Sequence, residues 1–137
     1  FFNKIDDPMI SVHLKYAEQL PTPHSTMHLY PINGAAHRVG KEDTTWSYRD
    51  ANFSMVIAGV DPDPANADRL VQWSKDYWAA LHPFSAGGAY LNFIMDEGDE
   101  RIRAAYRNNY TRLVQVKTKY DPQNMFHVNQ NIKPARS

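Results

Sequence analysis

The sequence predicts an α+β fold, a mostly antiparallel sheet covered by helices. Two β-favouring apolar runs, 26–32 and 52–60, come early in the chain. From residue 65 the apolar spacing lengthens to three and four residues, the period of a helix. The resulting order of strand, strand, helix, strand, helix, helix lacks the strand–helix alternation that a parallel sheet would need.

The first third reads as irregular and proline-bearing, with 20–25 (Leu-Pro-Thr-Pro-His-Ser) as a connector rather than a domain boundary. Residues 26–32 alternate as a strand does, and Asn33-Gly-Ala-Ala supplies the turn after it. The run 52–60 makes a second, mostly buried strand, closed by Asp61-Pro-Asp-Pro. Leu70, Trp73, Tyr77 and Leu81, flanked by Val71 and Trp78, then place an amphipathic helix over a sheet face, with Pro83 just past its end. Ser85-Ala-Gly-Gly turns the chain into a third strand at 89–94, which would set Tyr90, Asn92 and Ile94 on one face. Acids at 96–100 suit a helix N-terminus. Ile102, Ala105 and Tyr106 continue at helical spacing. Asn108 is positioned to cap a last helix, striped by Tyr110, Leu113, Val114 and Lys117. Tyr120-Asp-Pro stops it, because Pro122 cannot continue a helix and biases Asp121 toward extended backbone.

Composition narrows the function classes. A chain of 137 residues is the size of one domain and can bury a core. Lysine plus arginine equals aspartate plus glutamate, 15 against 15, so no electrostatic footprint argues for nucleic acid or an anionic membrane. The expected partner is a neutral small molecule. No apolar run is long enough to span a bilayer, and the N-terminus, Phe1-Phe-Asn-Lys-Ile-Asp-Asp, lacks a signal-peptide layout and starts as though cut from a longer chain. Cytoplasmic and secreted locations both stay open, and the triplets Asn52-Phe-Ser and Asn109-Tyr-Thr would accept glycans only in the second. Without cysteine the chain has no disulfide, no thiolate metal site and no cysteinyl flavin bond. His24 and His28 have the spacing of a helical metal pair, but Pro21 and Pro23 argue against a helix there, so no metal site is expected. His37, His82 and His127 are scattered. Trp73 and Trp78 read as core, and Trp46, in an irregular segment, as a possible pocket wall.

The tail holds the densest polar signal. Asn129, Gln130 and Asn131 are three consecutive amides, each with donor hydrogens and a carbonyl acceptor but no charge, a set suited to backbone or to a neutral heterocycle. On composition alone the tail reads as a polar C-terminal strand.

Several stretches, in this order, resemble the C-terminal half of the berberine-bridge family of FAD-linked oxidases. They are Asn33-Gly-Ala-Ala; Thr44-Thr-Trp-Ser-Tyr-Arg-Asp-Ala; Trp73; Gly87-Gly-Ala-Tyr-Leu-Asn-Phe; Ala105-Tyr-Arg-Asn-Asn-Tyr-Thr-Arg-Leu; and the tail 117–132. The resemblance divides the chain into a partial substrate-binding domain, 1–104, and a closing segment, 105–137, that packs back toward an FAD domain. It implies an FAD-dependent oxidoreductase acting on an alcohol or activated C–H carbon by hydride transfer to flavin, with O2 as acceptor. Saccharides, alkaloid-like aromatics and polyketide alcohols all remain open as substrates. By resemblance Tyr90 is the catalytic phenol beside flavin and substrate, and Asn92, Asn129 and Asn131 contact the cofactor. A phenol titrates near pH 10 unperturbed, so this role needs a hydrogen-bonding or cationic neighbour. The flavin itself would be held by an N-terminal FAD-binding half, on the same polypeptide or a separate chain, because no Gly-rich phosphate loop appears here and none of the histidines matches the family's flavin-attachment context. One departure matters: some members carry a Glu or Gln base on the second strand, and 53–59 offers nothing ionisable. Arg49 and Asp50 match the family's charged turn and read as a structural pair or sheet-edge anchor. The alternative function is a non-catalytic α+β binding or interaction domain that keeps the scaffold without the flavin half.

Overall fold

The computed structural model describes residues 1–95 and 98–135. Its elements are α1 (Asp7–Glu18), β1 (Thr26–Pro31), α2 (Ala35–Arg38), β2 (Phe53–Ala58), α3 (Ala67–Leu81), α4 (Asp99–Tyr106) and α5 (Asn109–Tyr120), with single 3-10 turns at Pro64–Asn66, His82–Phe84 and Leu91–Phe93. The α+β class stands, with its strands antiparallel. Two compact units form: Phe1–Ile32 with Ala51–Ala86, and Asn33–Asp50 with Gly87–Ser137. The expected division after residue 104 falls inside α4, within the second unit.

In the first unit β1 and β2 pair from Thr26↔Ala58 to Pro31↔Phe53. Phe2 bridges to Phe53, its N–H donating to the Phe53 carbonyl and its carbonyl accepting from the Phe53 N–H, both at 2.9 Å. Met27, Phe53, Met55 and Ile57 pack one sheet face against a core of Phe2, Met9, Tyr16, Trp73, Tyr77 and Leu81. Tyr16 and Tyr77 stack at 4.5 Å, and Trp73 meets Tyr77 edge-on at 5.5 Å, an arrangement that adds to plain area burial. The helix expected from residue 65 is α3, and its Leu70, Trp73, Tyr77 and Leu81 are the buried stripe. Trp78 is corrected: it lies off that stripe, 46% exposed, against the His82 ring. The connector 20–25 is tied down by Thr22 and Ser25, both buried, whose hydroxyls bond each other and reach the Val60 carbonyl.

The irregular first third is also corrected, because α1 occupies Asp7–Glu18. Pro8 sits in its first turn, where the missing N–H costs nothing, and the Asp6 carboxylate caps it by accepting from the Met9 N–H. Met9 is fully buried.

The second unit is built on α4 and α5, with Tyr48, Ile102, Ala105 and Asn109 buried in it. Of the acids expected at a helix start, Asp96 and Glu97 lie outside the described residues, while Asp99 and Glu100 occupy the first turn of α4. Asn108 does not cap α5: its backbone is already helical and its side chain makes no cap bond. The tyrosine two residues into α5, Tyr110, instead takes the Arg103 guanidinium over its ring at 4.4 Å.

Candidate functional site

The functional candidates sit in the second unit, on two segments whose paths are set by buried neighbours. The first follows Gly87 and Gly88, at φ +78° and +68°. The Tyr48 ring fills the space a side chain at 88 would need, since a Cβ there would stand 2.0 Å from Tyr48 Cζ. Tyr48 is 3% exposed, donates its hydroxyl to the Ala104 carbonyl at 2.9 Å, and carries the Arg107 guanidinium over its ring at 3.5 Å. Arg107 also pairs with Asp50, which Lys41 bonds at 2.8 Å. The Lys41 hydrogen bond is the main cause that holds the Asp50 carboxyl below the usual carboxylate range. Arg49 and Asp50 therefore do not act as a pair: Arg49 donates to the carbonyls of Trp46 and Ala36 and to Thr44 Oγ1, and lies over the Trp46 ring at 4.4 Å.

The third predicted strand, 89–94, is not formed. Tyr90 is extended, but Leu91–Phe93 close a 3-10 turn in which the Phe93 N–H donates to the Tyr90 carbonyl at 2.9 Å. Strand backbone needs a ladder partner, and among the described residues the sheet consists of β1 and β2. The turn nonetheless brings Tyr90 and Asn92 together: Asn92 Nδ2 donates to the Tyr90 phenol oxygen at 3.2 Å, and Phe93 packs edge-on to the Tyr90 ring at 5.2 Å. A donor thus sits on the atom that would carry charge once the phenol gave up its proton.

The second segment is the tail, which turns rather than forming a strand. Asp121 organises it. Its carboxylate accepts from the Met125 N–H at 2.7 Å and the Phe126 N–H at 3.0 Å. Lys117, one turn earlier on α5, donates to the same carboxylate and to the Phe126 carbonyl. Lys117 is the largest cause, ahead of the two backbone N–H groups, that depresses the Asp121 carboxyl. Asn124 and Asn129 take positive φ, 54° and 61°, a conformation that asparagine tolerates better than most residues. Gln130 Nε2 then donates to the carbonyls of Ile94 and Met95 at 3.1 and 3.3 Å, joining the two candidate segments. Asn131 N–H donates to the Asn129 carbonyl at 2.9 Å, while Asn131 Oδ1 is buried without a hydrogen-bond partner among the described residues. Lys133 pairs with Asp99, and the Ala135 N–H donates to Thr118 Oγ1, fixing the chain beyond.

Tyr90, Asn92 and Asn129 are exposed and Asn131 is half-buried. Three apolar side chains of the tail are open to solvent: Met125, Phe126 and Val128 are 69%, 77% and 80% exposed. The sequence reading missed Gln130 as the joining residue and Tyr48 as the support beneath Gly88; the repeated Gly-Gly was the available signal. It also missed His13 in the first unit, whose Nδ1 lies 2.6 Å from the Tyr77 hydroxyl. Burial pushes that tyrosine up to about 12 and lowers the histidine. Among the described residues no group of three potential ligands could hold a metal ion, and no helix is long and apolar enough to cross a membrane.

Residues 89–133, which contain Tyr90, Asn92, Asn129 and Asn131, match the family model "Berberine and berberine like". An FAD-linked oxidoreductase of Dictyostelium discoideum is 28% identical over 130 residues, covering 94% of this chain and 28% of that protein. A Bacillus subtilis FAD-linked oxidoreductase is 30% identical over 132 residues, covering 96% of this chain and 29% of that one. Physcomitrella patens BBE-like 1 superposes with a TM-score of 0.86 at 21% identity, over 100% of this chain and 30% of that structure. The fold is thus that of a portion of berberine-bridge-type flavoproteins. Residues 89–133 carry the match to the berberine-bridge-like family, and the chain, similar along nearly its whole length to these FAD-linked relatives, spans less than a third of theirs.

Proposed function

We propose that this chain is the substrate-side portion of an FAD-dependent oxidoreductase that oxidises an alcohol or an activated C–H carbon by hydride transfer to flavin, with O2 as the terminal acceptor. The observation that carries the reading is the Gln130 bridge to Ile94 and Met95, which ties the tail amides to the chain just after the Tyr90–Asn92 turn and lies beside Asn131, whose Oδ1 is a buried acceptor without a partner among the described residues. A buried carbonyl left unpaired costs about 1–3 kcal/mol, so a donor is expected to complete it. The ring edge of a flavin offers one N–H between two carbonyls, which fits an amide acceptor beside amide donors.

When bound, the flavin would supply the two-electron acceptor. The rest falls to the residues of this chain. Tyr90 would take a proton from the substrate, Asn92 would hold the phenol oxygen in place, and Asn129 and Asn131 would orient the ring edge. The exposed Met125, Phe126 and Val128 support a further polypeptide region that carries the FAD, since a run of large apolar side chains in water favours association.

The test is Tyr90→Phe in the complete protein. Turnover should fall by about 10²- to 10⁴-fold, the range of general-base contributions, with the flavin absorbance at 350–500 nm intact. Unchanged turnover removes Tyr90 from the chemistry, and a complete protein purified without flavin absorbance overturns the oxidoreductase reading.

A further inference from the structure

One cavity in the first unit is walled by residues whose ring nitrogens the fold leaves unpaired. Its volume is about 290 Å³, and it opens between α1, the start of β1 and α3, with an apolar wall that includes Ile10, Leu14, Leu20 and Met27. His13 and Trp73 belong to the same wall, and His13 Nε2 and Trp73 Nε1 are buried without a hydrogen-bond partner among the described residues. Trp73 is 8% exposed, and an indole N–H can only donate. Both rings meet the Tyr77 ring edge-on, at 5.7 Å for His13 and 5.5 Å for Trp73. The Tyr77 hydroxyl occupies His13 Nδ1 at 2.6 Å, which leaves Nε2 as the open nitrogen of that imidazole. Burial lowers His13 and raises Tyr77, so near neutral pH neither carries charge.

We propose that this cavity binds one small, uncharged, monocyclic compound bearing a hydroxyl group, of the phenol class. Size, wall and polar atoms each select it. A cavity of about 150 Å³ holds a benzene ring, so 290 Å³ accommodates one ring with short substituents and no larger polycycle. The apolar wall suits that ring, and a mainly apolar pocket with a few polar groups is the usual form of a ligand site. Among the described residues no lysine, arginine, aspartate or glutamate lines it, which favours an uncharged ligand. The hydroxyl answers the two nitrogens. Its oxygen accepts from the Trp73 N–H, and with one donor and two lone pairs it bonds His13 Nε2 in either tautomer: it donates when Nδ1 carries the imidazole proton, and accepts when Nε2 does. A ring without the hydroxyl would leave both nitrogens unpaired, at the cost that buried polar groups carry. The site binds and takes no proton from its ligand, so the role proposed for Tyr90 is untouched, and the assignment does not rest on the oxidoreductase reading.

The experiment titrates the complete protein, labelled with 15N-tryptophan, with phenol and in parallel with toluene, which carries a methyl in place of the hydroxyl. The Trp73 indole N–H resonance, identified by its loss in Trp73→Phe, should shift saturably with phenol. Toluene should bind about tenfold more weakly, and phenol should lose a similar factor in His13→Phe, each being the loss of about one hydrogen bond. Ala17→Phe places a large ring in the cavity wall from an exposed position of α1, and should abolish the phenol shift while the circular dichroism and melting temperature hold. No saturable shift, as when water or another part of the polypeptide fills the cavity, overturns the inference. So does equal affinity for phenol and toluene, which would make this a plain apolar hole, or a phenol shift that both Ala17→Phe and His13→Phe leave undiminished. None of these readouts uses flavin or turnover, so failure of this site and failure of the oxidoreductase reading are told apart.

Discussion

Replacing Gly88 by alanine should destabilise the second unit through one identifiable contact. Two terms add. At φ +68° an L side chain costs about 1–2 kcal/mol relative to glycine. The new Cβ would lie 2.0, 2.1 and 2.3 Å from Tyr48 Cζ, Oη and Cε2, and forcing a methyl into a filled site costs about 1–3 kcal/mol more. Tyr48 cannot swing away cheaply, because its hydroxyl is bonded to Ala104 and Arg107 lies against its ring. The total, about 2–5 kcal/mol, is a large part of the 5–15 kcal/mol by which domains are stable. Urea denaturation of Gly88→Ala, of Tyr48→Ala and of the double variant measures it. If the clash is with Tyr48, Gly88→Ala in the Tyr48→Ala background costs only the backbone term, about 1–2 kcal/mol. An equal cost in both backgrounds would refute the packing argument, and no cost in either would refute the strain argument as well.

Asn109 is 5% exposed, and its Nδ2 donates to the carbonyls of Lys41, Thr44 and Thr45. Asn109→Ala should therefore cost about 1–3 kcal/mol in a thermal or urea melt, from carbonyls stripped of their donor. The same burial closes one glycan acceptor: expressed in a glycosylating host, the chain should carry sugar at the exposed Asn52 and none at Asn109, as peptide mapping would read. Because burial lowers the His13 imidazole, its folded form binds a proton less readily than its unfolded form. Its contribution to stability is then fully present above the ordinary histidine pKa of about 6.5 and declines as pH falls below it, so His13→Phe should flatten the stability–pH curve below about pH 6.5. Lys117→Met should free the Phe126 carbonyl and loosen the Asp121 turn, raising hydrogen exchange at the Met125 and Phe126 amides while leaving the amides of α5 protected.

How far the fold was legible depended on whether a pattern had a local cause. The stripe of α3 read correctly because Leu70, Trp73, Tyr77 and Leu81 all face one core. Trp78 was misplaced by the same pattern, since one aromatic beside a stripe looks like part of it until the helix is wound. Pro8 disguised α1: proline reads as a breaker unless the Asp6 cap two residues earlier is recognised, and then it marks a start. At 89–94 alternation mimicked a strand. The same Tyr-x-Asn spacing is satisfied by a 3-10 turn when no neighbouring strand supplies hydrogen bonds, and only a partner search in three dimensions separates the two. The site residues came from resemblance to a family, and the contacts that support them were not visible in the sequence at all.

The matching motifs of this chain are best understood as one mechanical unit. Thr44-Thr-Trp-Ser-Tyr-Arg-Asp supplies Tyr48, whose ring requires Gly88 to be a glycine, and it supplies the Thr44 and Thr45 carbonyls, which require the buried amide of Asn109. Gly88 in turn delivers Tyr90 and Asn92, and α5, which begins at Asn109, ends at the Lys117–Asp121 turn that returns the tail so that Gln130 meets Ile94 and Met95. The motif at 44–50 is therefore a contact partner of those at 87–93 and 105–113, although all three look independent along the sequence. Substitutions at Tyr48, Gly88 or Asn109 should thus disturb the Tyr90–Asn92 turn without touching it, whereas exposed positions of α5 such as Val116 should be replaceable at little cost.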